Sequence, residues 1–375
     1  MKLSFVDLDI QRFRAIKHLQ IDGLGMVNLI TGRNNTGKSS VLEALRILAS
    51  YAAPSVINSI LRFREEDTSE TDEQTRPIDA EGLFQTSSLF HGFPAFSSKL
   101  EPIVITTKNG ESPMKLSMGA GWFSDVREPD GSRRLVPQEQ ELFNEGDATP
   151  AMVIEGSSGR RIMPLDMLRR NLYRNRVIRS DVVEEPSFPC MFVSPYGGER
   201  TATLGSLWDK IALSDREKDV VEALQIIDPE ISAVSMVGGE SSRQSRTAIV
   251  RASDIARPVP LRSYGDGLNR LFGIVLSLVN AKDGLLLIDE FENGMHHSVQ
   301  TDAWRAVFRL ARRLNIQVVA TSHSWDSIEA FQKAVSENQE EGVLIRLSRK
   351  GEEIIPTLFR EDELAIATRD HIEVR

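Results

Sequence analysis

Apolar residues in the first 51 positions follow two periods, one typical of strands and one typical of a helix. Residues 3–10 alternate between apolar and polar side chains, which predicts a strand, and residues 16–21 predict a second one. Residues 26–30 are almost entirely apolar and predict a buried third strand that ends at Gly32. Residues 40–51 then carry apolar side chains at helical spacing. The chain is therefore predicted to open with three strands, a glycine-containing loop and a helix.

The second half of the chain alternates between helical and strand periods. The segments with helical spacing are 206–225, which predicts two short helices, 265–280, 295–313 and a closing segment near the C-terminus. The segments that predict strands are 285–288, 316–320, 342–348 and 353–359. Such alternation favours an α/β fold with parallel strands.

The middle of the chain is harder to interpret, because only short strand-like pieces stand out between 55 and 200. These pieces are 102–107, 151–155 and 189–193. We expect an α/β fold with a mixed sheet flanked by helices. Its core is predicted from residues 1–54 and 255–375, and residues 55–254 are predicted to form an inserted, less regular lobe, partly β with some helices.

Composition limits the class of protein. The chain has 375 residues, of which 41% are hydrophobic and 26% charged, as in an ordinary globular protein. Its longest apolar runs are about half of the roughly 18 residues that a membrane-spanning helix needs, and acidic residues interrupt the N-terminus before a signal peptide could form. We therefore expect a cytoplasmic protein. Cys190 is the only cysteine, which excludes a disulfide framework within the chain.

The net charge of −9 argues against a generally basic nucleic-acid-binding protein. The segment from Arg160 to Arg179 reverses this sign, with seven arginines against the single acid Asp166. A solvated face, internal ion pairs, duplex DNA or an acidic protein partner would each fit these arginines. The opposite run, from Glu65 to Glu81, holds eight acidic residues and is predicted to be an exposed loop.

The loop after the third strand fits the motif G-x-x-x-x-G-K-[ST] without a mismatch. Its backbone N–H groups can surround phosphate oxygens at a helix N-terminus, Lys38 can reach the β and γ phosphates, and Ser39 can bind magnesium. The residues predicted to bind the nucleotide here are Gly32, Arg33, Asn34, Asn35, Thr36, Gly37, Lys38, Ser39 and Ser40.

A second candidate element is the apolar strand 285–288, which ends in Asp289 and Glu290. The carboxyl edge of a parallel sheet would present both carboxylates to a bound ligand. Asp289 is predicted to hold magnesium through water. Glu290 points in a different direction and is predicted to orient or deprotonate the water that attacks the γ-phosphate.

Together these motifs resemble those of ABC-type P-loop ATPases of the OLD (overcoming lysogenization defect), RecF and SMC kind. In that group the Asp-Glu strand is followed by a D-loop, here residues 292–297, and later by a switch histidine that senses the γ-phosphate, here His323. The resemblance implies an ATPase that uses ATP and Mg²⁺. Glu290, His323 and Lys38 would then be its catalytic residues.

The same group carries a signature sequence at a helix N-terminus before the Asp-Glu strand. Ser263, Gly265 and Gly267 match it loosely, and the resemblance implies that they contact the γ-phosphate bound by a second copy of the chain, in a dimer that encloses two ATP molecules. Gln85 is the candidate for the glutamine that couples the nucleotide and its metal to the inserted lobe.

The sequences of residues 28–40 and 289–294 are most similar to those of the OLD branch, in which many proteins continue into a Toprim nuclease. Here 52 residues follow His323 and contain no Asp-x-Asp pair, so a nuclease partner is expected to be a separate polypeptide. We therefore expect a dimeric ATPase that switches an associated effector in antiphage defence or DNA processing. The alternatives are a RecF-like repair ATPase that grips DNA through Arg160–Arg179, and a transporter subunit.

Overall fold

Two large β-sheets, with helices between and outside them, make up most of the described chain. The computed structural model describes residues 5–64, 86–97, 99–109, 112–127, 133–138, 148–157, 159–165, 189–195, 201–238, 246–338 and 341–374. The helices assigned there are α1 (Lys38–Ala49), α2 (Pro54–Phe63), α3 (Thr201–Asp209), α4 (Asp215–Gln225), α5 (Leu261–Tyr264), α6 (Asp266–Asn280), α7 (His297–Leu314), α8 (Trp325–Ser336) and α9 (Glu361–Arg369).

The strands come from all parts of the described chain. Those of the first half are β1 (Asp7–Phe13), β2 (Ile16–Asp22), β3 (Val27–Thr31), β4 (Ile103–Asn109), β5 (Ser112–Arg127), β6 (Arg133–Gln138), β7 (Thr149–Gly156) and β8 (Gly159–Pro164). Those of the second half are β9 (Cys190–Val193), β10 (Ile231–Val237), β11 (Thr247–Ala252), β12 (Val259–Pro260), β13 (Leu285–Ile288), β14 (Gln317–Thr321), β15 (Gly342–Lys350) and β16 (Glu353–Phe359).

The central sheet has six strands in the order β16-β15-β3-β14-β13-β9. β15, β3, β14, β13 and β9 run parallel, and β16 pairs antiparallel with β15 at one edge. The mixed α/β fold predicted from the sequence is confirmed. Because the five parallel strands share one direction, the loops after β3, β13 and β14 emerge at the same edge.

Both faces of the central sheet are buried, which explains its continuous apolar runs. Leu285 and Leu287 pack with α1 on one side, whereas Leu286 and Ile288 pack with α6, α7 and α8 on the other. The second large sheet covers α1. It is antiparallel, in the order β2-β1-β4-β5-β7-β8, with β6 paired to β5. Helix α1 is thereby enclosed between two sheets.

Both sheets contain strands from either side of the domain boundaries predicted at 54 and 255. β1 pairs with β4, and β9 pairs with β13 inside the central sheet. The division into an ATPase core and an inserted lobe stays a proposal about domain organisation. The 16-residue strand β5 was not predicted, since glycines at 119 and 121 interrupt its apolar pattern.

The C-terminal segment passes beneath the end of β3. Val374 is fully buried against the core on the α7 side, and its carbonyl oxygen accepts a 2.5 Å hydrogen bond from the hydroxyl of Thr31. Thr31 immediately precedes the phosphate-loop motif, so the C-terminal segment contributes directly to the base of that loop.

No helix of the described residues is long and apolar enough to cross a membrane. Cys190 lies in β9, where burial raises the pKa of its thiol to about 12. A thiol with so high a pKa is almost wholly protonated at neutral pH and is a poor nucleophile.

A buried ion pair joins the β1–β2 turn to helix α1. Arg14 Nε lies 2.5 Å from Glu43 Oε2, and both side chains are at most 5% exposed. Arg64, at the end of α2, approaches the other oxygen of Glu43 with its Nε at 2.8 Å. Glu43 therefore ties two neighbouring segments to the helix that begins at the phosphate loop.

We expect Glu43→Ala to lower the free energy of unfolding by about 3–5 kcal/mol, because it leaves the buried Arg14 without its carboxylate partner. Chemical denaturation at neutral pH measures this change. The matched control is Glu352→Ala, which removes an exposed partner of Lys17 and should leave stability nearly unchanged. Equal stability of the two variants would contradict the structural role assigned to Glu43.

Candidate functional site

The loop between β3 and α1 has the backbone conformation that a phosphate cradle requires. Gly32 and Gly37 have φ values of 140° and 89°, and Asn35 also lies in the left-handed region at 62°. A Cβ on Gly32 would stand 2.4 Å from the carbonyl oxygen of Leu347, so no larger residue fits there. The loop can thus turn its backbone N–H groups towards an anion at the N-terminus of α1.

Lys38 folds over this loop. Its Nζ donates hydrogen bonds to the carbonyl oxygens of Gly32, at 2.6 Å, and Arg33, at 3.0 Å. Burial lowers the pKa of Lys38, and the nearby carboxylates of the β13 end oppose this shift. The ammonium is therefore held at the mouth of the loop, where it can transfer its hydrogen bonds to phosphate oxygens.

Ser39 and Asp289 meet across 250 residues of sequence. The Ser39 hydroxyl donates a 3.2 Å hydrogen bond to Asp289 Oδ1, which also accepts a 2.6 Å bond from the hydroxyl of Thr321. Among the described residues no three His, Cys, Asp or Glu side chains cluster as a metal site. One hydroxyl and one carboxylate fit Mg²⁺, which takes few protein ligands and completes its octahedron with water and phosphate oxygens.

Glu290 occupies a strained backbone position, with a φ of 49°. Its N–H donates to the Thr321 hydroxyl at 2.9 Å, and its carbonyl oxygen accepts from the buried Arg270 at 3.2 Å. Arg270 also donates to the carbonyl oxygen of Asp289. A non-glycine residue in this region costs about 1–3 kcal/mol and persists only where its surroundings enforce it, as they do here. The two carboxylates have different partners: Glu290 Oε2 accepts from Asn293 at 3.3 Å, whereas Asp289 Oδ1 accepts from Ser39 and Thr321.

His323 lies in the loop that follows β14, the strand between β3 and β13. Its side chain is 54% exposed, and its Nδ1 lies 3.5 Å from Glu292 Oε1. The backbone N–H of His323 donates to the same oxygen at 3.1 Å. The structure therefore places His323 at the sheet edge that also carries the phosphate loop and the two acidic residues.

The predicted signature residues do not lie beside helix α1. Ser263 is in α5, which packs against β11, β12 and α6, whereas α1 packs against β1, β9, β13 and β14. The hydroxyl of Tyr264 donates to Asp228 at 2.6 Å and holds this turn in place. A Cβ on Gly267 would lie 3.9 Å from the carbonyl oxygen of Gly294 in the predicted D-loop. Gly267 of the predicted signature sequence thus lies beside the predicted D-loop.

The other predicted residues vary in position. Arg33, Asn34 and Asn35 are exposed on the loop, whereas Thr36 and Ser40 are buried in its closing turn and in α1. Thr36 stabilises the loop by donating to the Arg33 carbonyl oxygen at 2.8 Å. Gln85 lies outside the described residues.

Of the seven arginines predicted as a basic segment, Arg160 and Arg161 lie in the described part of the chain. Arg160 pairs with Glu155 at 3.3 Å, and Arg161 donates to the carbonyl oxygens of Tyr51 and Ala52. These two arginines therefore have internal partners. The other five, and the acidic run from Glu65 to Glu81, lie outside the described residues.

Sequence reasoning missed two residues that organise the site, Arg270 and Thr321. Arg270 is the single basic residue in the largely apolar helix predicted at 265–280, which is a signal for a buried cation with a specific partner. Thr321 directly follows the predicted strand 316–320 and gave no signal beyond that position.

Two family profiles match the segments that build this site. Residues 1–100, which include the phosphate loop, match the profile described as "AAA ATPase domain". Residues 200–328, which include the signature residues, the Asp-Glu strand and His323, match the profile described as "AAA domain, putative AbiEii toxin, Type IV TA system". The prediction of an ATPase is confirmed.

The chain is similar to a curated protein of Helicobacter pylori named "ATP/GTP phosphatase", with 22% identity over 389 residues that cover 95% of each chain. An uncharacterized protein of Methanocaldococcus jannaschii is 46% identical over 43 residues, or 12% of this chain and 20% of that protein.

Solved structures similar to the chain include the SMC head domain from Thermotoga maritima, at 10% identity and a TM-score of 0.43, with 96% of this chain and 100% of that chain covered. The Smc head domain from Pyrococcus furiosus, bound to the C-terminal domain of ScpA, is 9% identical with a TM-score of 0.45, and both chains are wholly covered.

We expect Lys38→Ala to weaken ATP binding, because it removes the cation at the mouth of the phosphate loop and leaves the rest of the fold intact. The expected rise in Kd is on the order of tenfold to a hundredfold, equivalent to one charge-assisted hydrogen bond of about 1.5–3 kcal/mol. Fluorescent-nucleotide titration measures it, with Lys282→Ala, on a surface turn, as the control. Unchanged affinity would contradict the role of Lys38.

Proposed function

We propose that this chain hydrolyses ATP with Mg²⁺ as a dimer that encloses two nucleotides, and that hydrolysis switches an associated effector. The observation that carries the proposal is the 3.2 Å contact between Ser39 and Asp289. It unites the end of the phosphate loop with the end of β13, as a site for a nucleoside triphosphate and its metal requires.

Each residue then has a distinct role. The loop from Gly32 to Gly37 and the N-terminus of α1 bind the phosphates, and Lys38 neutralises the β and γ oxygens. Ser39 and Asp289 would hold Mg²⁺, which when bound neutralises charge between the β and γ phosphates. Glu290 positions and deprotonates the attacking water, since its carboxylate does not share the Ser39 and Thr321 contacts of Asp289. His323 senses the γ-phosphate.

The position of the predicted signature residues supports the proposed dimer. Ser263 lies in α5, which packs against β11, β12 and α6, and Gly267 lies beside Gly294 of the predicted D-loop. A second copy related by a two-fold axis would present the same surface to the first phosphate loop. Nucleotide bound between the copies would close the dimer, and hydrolysis would release it.

The effector is proposed to be a separate protein, with a Toprim-like nuclease as the leading candidate, in antiphage defence. The matched profile whose description names a toxin–antitoxin system is in line with a defence setting. The OLD-type assignment is part of this proposal. A DNA-gripping role of the RecF kind has less support, because Arg160 and Arg161 are engaged within the chain.

Glu290→Gln should retain ATP binding and slow hydrolysis by about 10²–10⁴-fold, because it removes the general base and preserves the phosphate cradle. The test measures phosphate release from ATP and from GTP across a range of protein concentrations, with and without duplex DNA, with this variant as the blank. Wild-type turnover that equals that of the blank would overturn the assignment. Stimulation by DNA would instead favour the RecF-like alternative.

The dimer can be tested by complementation. Lys38→Ala and Ser263→Arg should each be nearly inactive alone, because each damages both composite sites of its own homodimer. In a random mixture, half of the dimers combine the two variants and retain one intact site, so recovered turnover of up to about a quarter of the wild-type value is expected. Differential tagging shows whether mixed dimers form. If they form and turnover does not recover, the two copies do not share their ATP sites.

A further inference from the structure

The carboxylate of Glu292 holds the loop that carries His323. Glu292 Oε1 accepts the backbone N–H of His323 at 3.1 Å and lies 3.5 Å from Nδ1 of the same residue. One oxygen thereby contacts both the main chain and the ring. This contact covers the Nδ1 side of the imidazole and leaves Nε2 as the ring nitrogen that can meet a phosphate oxygen.

Glu292 is itself rigidly placed. It follows Phe291, whose ring stacks on Trp304 at a centroid distance of 3.7 Å and whose N–H donates to the Thr321 carbonyl oxygen at 3.0 Å. The Glu292 side chain is only 11% exposed, in contrast to the half-exposed histidine. The less exposed carboxylate is therefore the anchor, and the more exposed histidine is the group that it holds.

The contact has no evident value for the stability of the fold. Glu292 Oε2 is buried and has no hydrogen-bond partner among the residues that the structure describes. Burying a carboxylate with one oxygen unsatisfied costs free energy. A neutral residue that keeps one acceptor for the His323 N–H would serve folding at least as well, so the charge placed here is better explained by what it does to the His323 ring.

Glu292 also lies between the loop that carries His323 and the predicted D-loop surface. Glu292 is the first residue of the predicted D-loop, and Gly294 of the same loop lies against Gly267 of the predicted signature sequence. Asn293 donates to Glu290 Oε2 at 3.3 Å. A displacement of the D-loop when a second copy docks would thus reach Glu292 directly, and through it the histidine.

We propose that Glu292 is a positioning residue that orients His323 towards the γ-phosphate and links this orientation to the D-loop surface. This inference rests on the proposed function, in which His323 senses the γ-phosphate. Glu292 touches neither substrate nor metal in this role. Its effect on hydrolysis passes through His323.

The test is a double-mutant cycle on ATP turnover with Glu292→Ala, His323→Ala and the double variant. Glu292→Ala should lower kcat on the order of tenfold to a hundredfold, the range for a residue that orients another functional group, with little change in nucleotide Kd. In the His323→Ala background the same change should have almost no further effect on kcat. Glu292→Gln keeps an oxygen acceptor of equal reach and should stay within about fivefold of the wild type.

Thermal unfolding controls for structure, and Glu292→Ala should remain fully folded at the assay temperature. Glu337→Ala, which removes an exposed carboxylate paired with Arg305, controls for the chemical change and should leave kcat unaltered. Three results would overturn the positioning role and leave the proposed ATPase function intact. They are an unchanged kcat in Glu292→Ala, a raised nucleotide Kd in place of a lowered kcat, and additive effects of the two substitutions in the cycle. Full activity of His323→Ala would overturn it together with the switch role, and absence of wild-type hydrolysis would overturn the proposed function itself.

Discussion

The parallel pairing of β3, β14 and β13 is the constraint on which the rest of the site depends. β14 pairs with β3 on one side and β13 on the other, so three strands separated in sequence end side by side. The phosphate loop follows the first strand, His323 follows the second and the acidic pair follows the third. Ser39 reaches Asp289 because of this order, and no local interaction in the sequence would bring them together.

Polar contacts then hold the strand ends in functional conformations. Thr321, at the end of β14, bonds both the carboxylate of Asp289 and the N–H of Glu290. Arg270 binds the carbonyl oxygens of the same two residues from helix α6. In a buried environment these hydrogen bonds are strong, and they offset the backbone strain at Glu290. Because α6 begins directly after Gly265, Arg270 also links the α5–α6 turn to the acidic strand end.

An ion pair and packing between the two large sheets hold helix α1 in place beside the site. Helix α1 lies between the two large sheets, and its Glu43 is paired with Arg14 from the β1–β2 turn. From the other face of the central sheet, Val374 of the C-terminal segment binds Thr31 below the phosphate loop. The loop therefore sits on a base that depends on both ends of the chain.

The sequence by itself determined the elements and the local chemistry. The octet from Gly32 to Ser39 predicts a phosphate loop because the glycines, lysine and hydroxyl of the motif are contiguous. The apolar run 285–288 is followed directly by Asp289 and Glu290, so this element is also visible in the sequence alone. Periodicity also predicted the helices and strands around them, since burial on one or both faces leaves a direct pattern in the order of residues.

Only the tertiary structure decided which of these elements become neighbours. The pairing of β4 with β1, the place of β9 beside β13, and the contacts of Arg270, Thr321 and Glu292 join residues far apart in the chain. Such contacts depend on strand order and on side-chain packing between layers, which neither spacing nor composition encodes. The motifs could thus be found in the sequence, whereas the residues that position them could be found only in the fold.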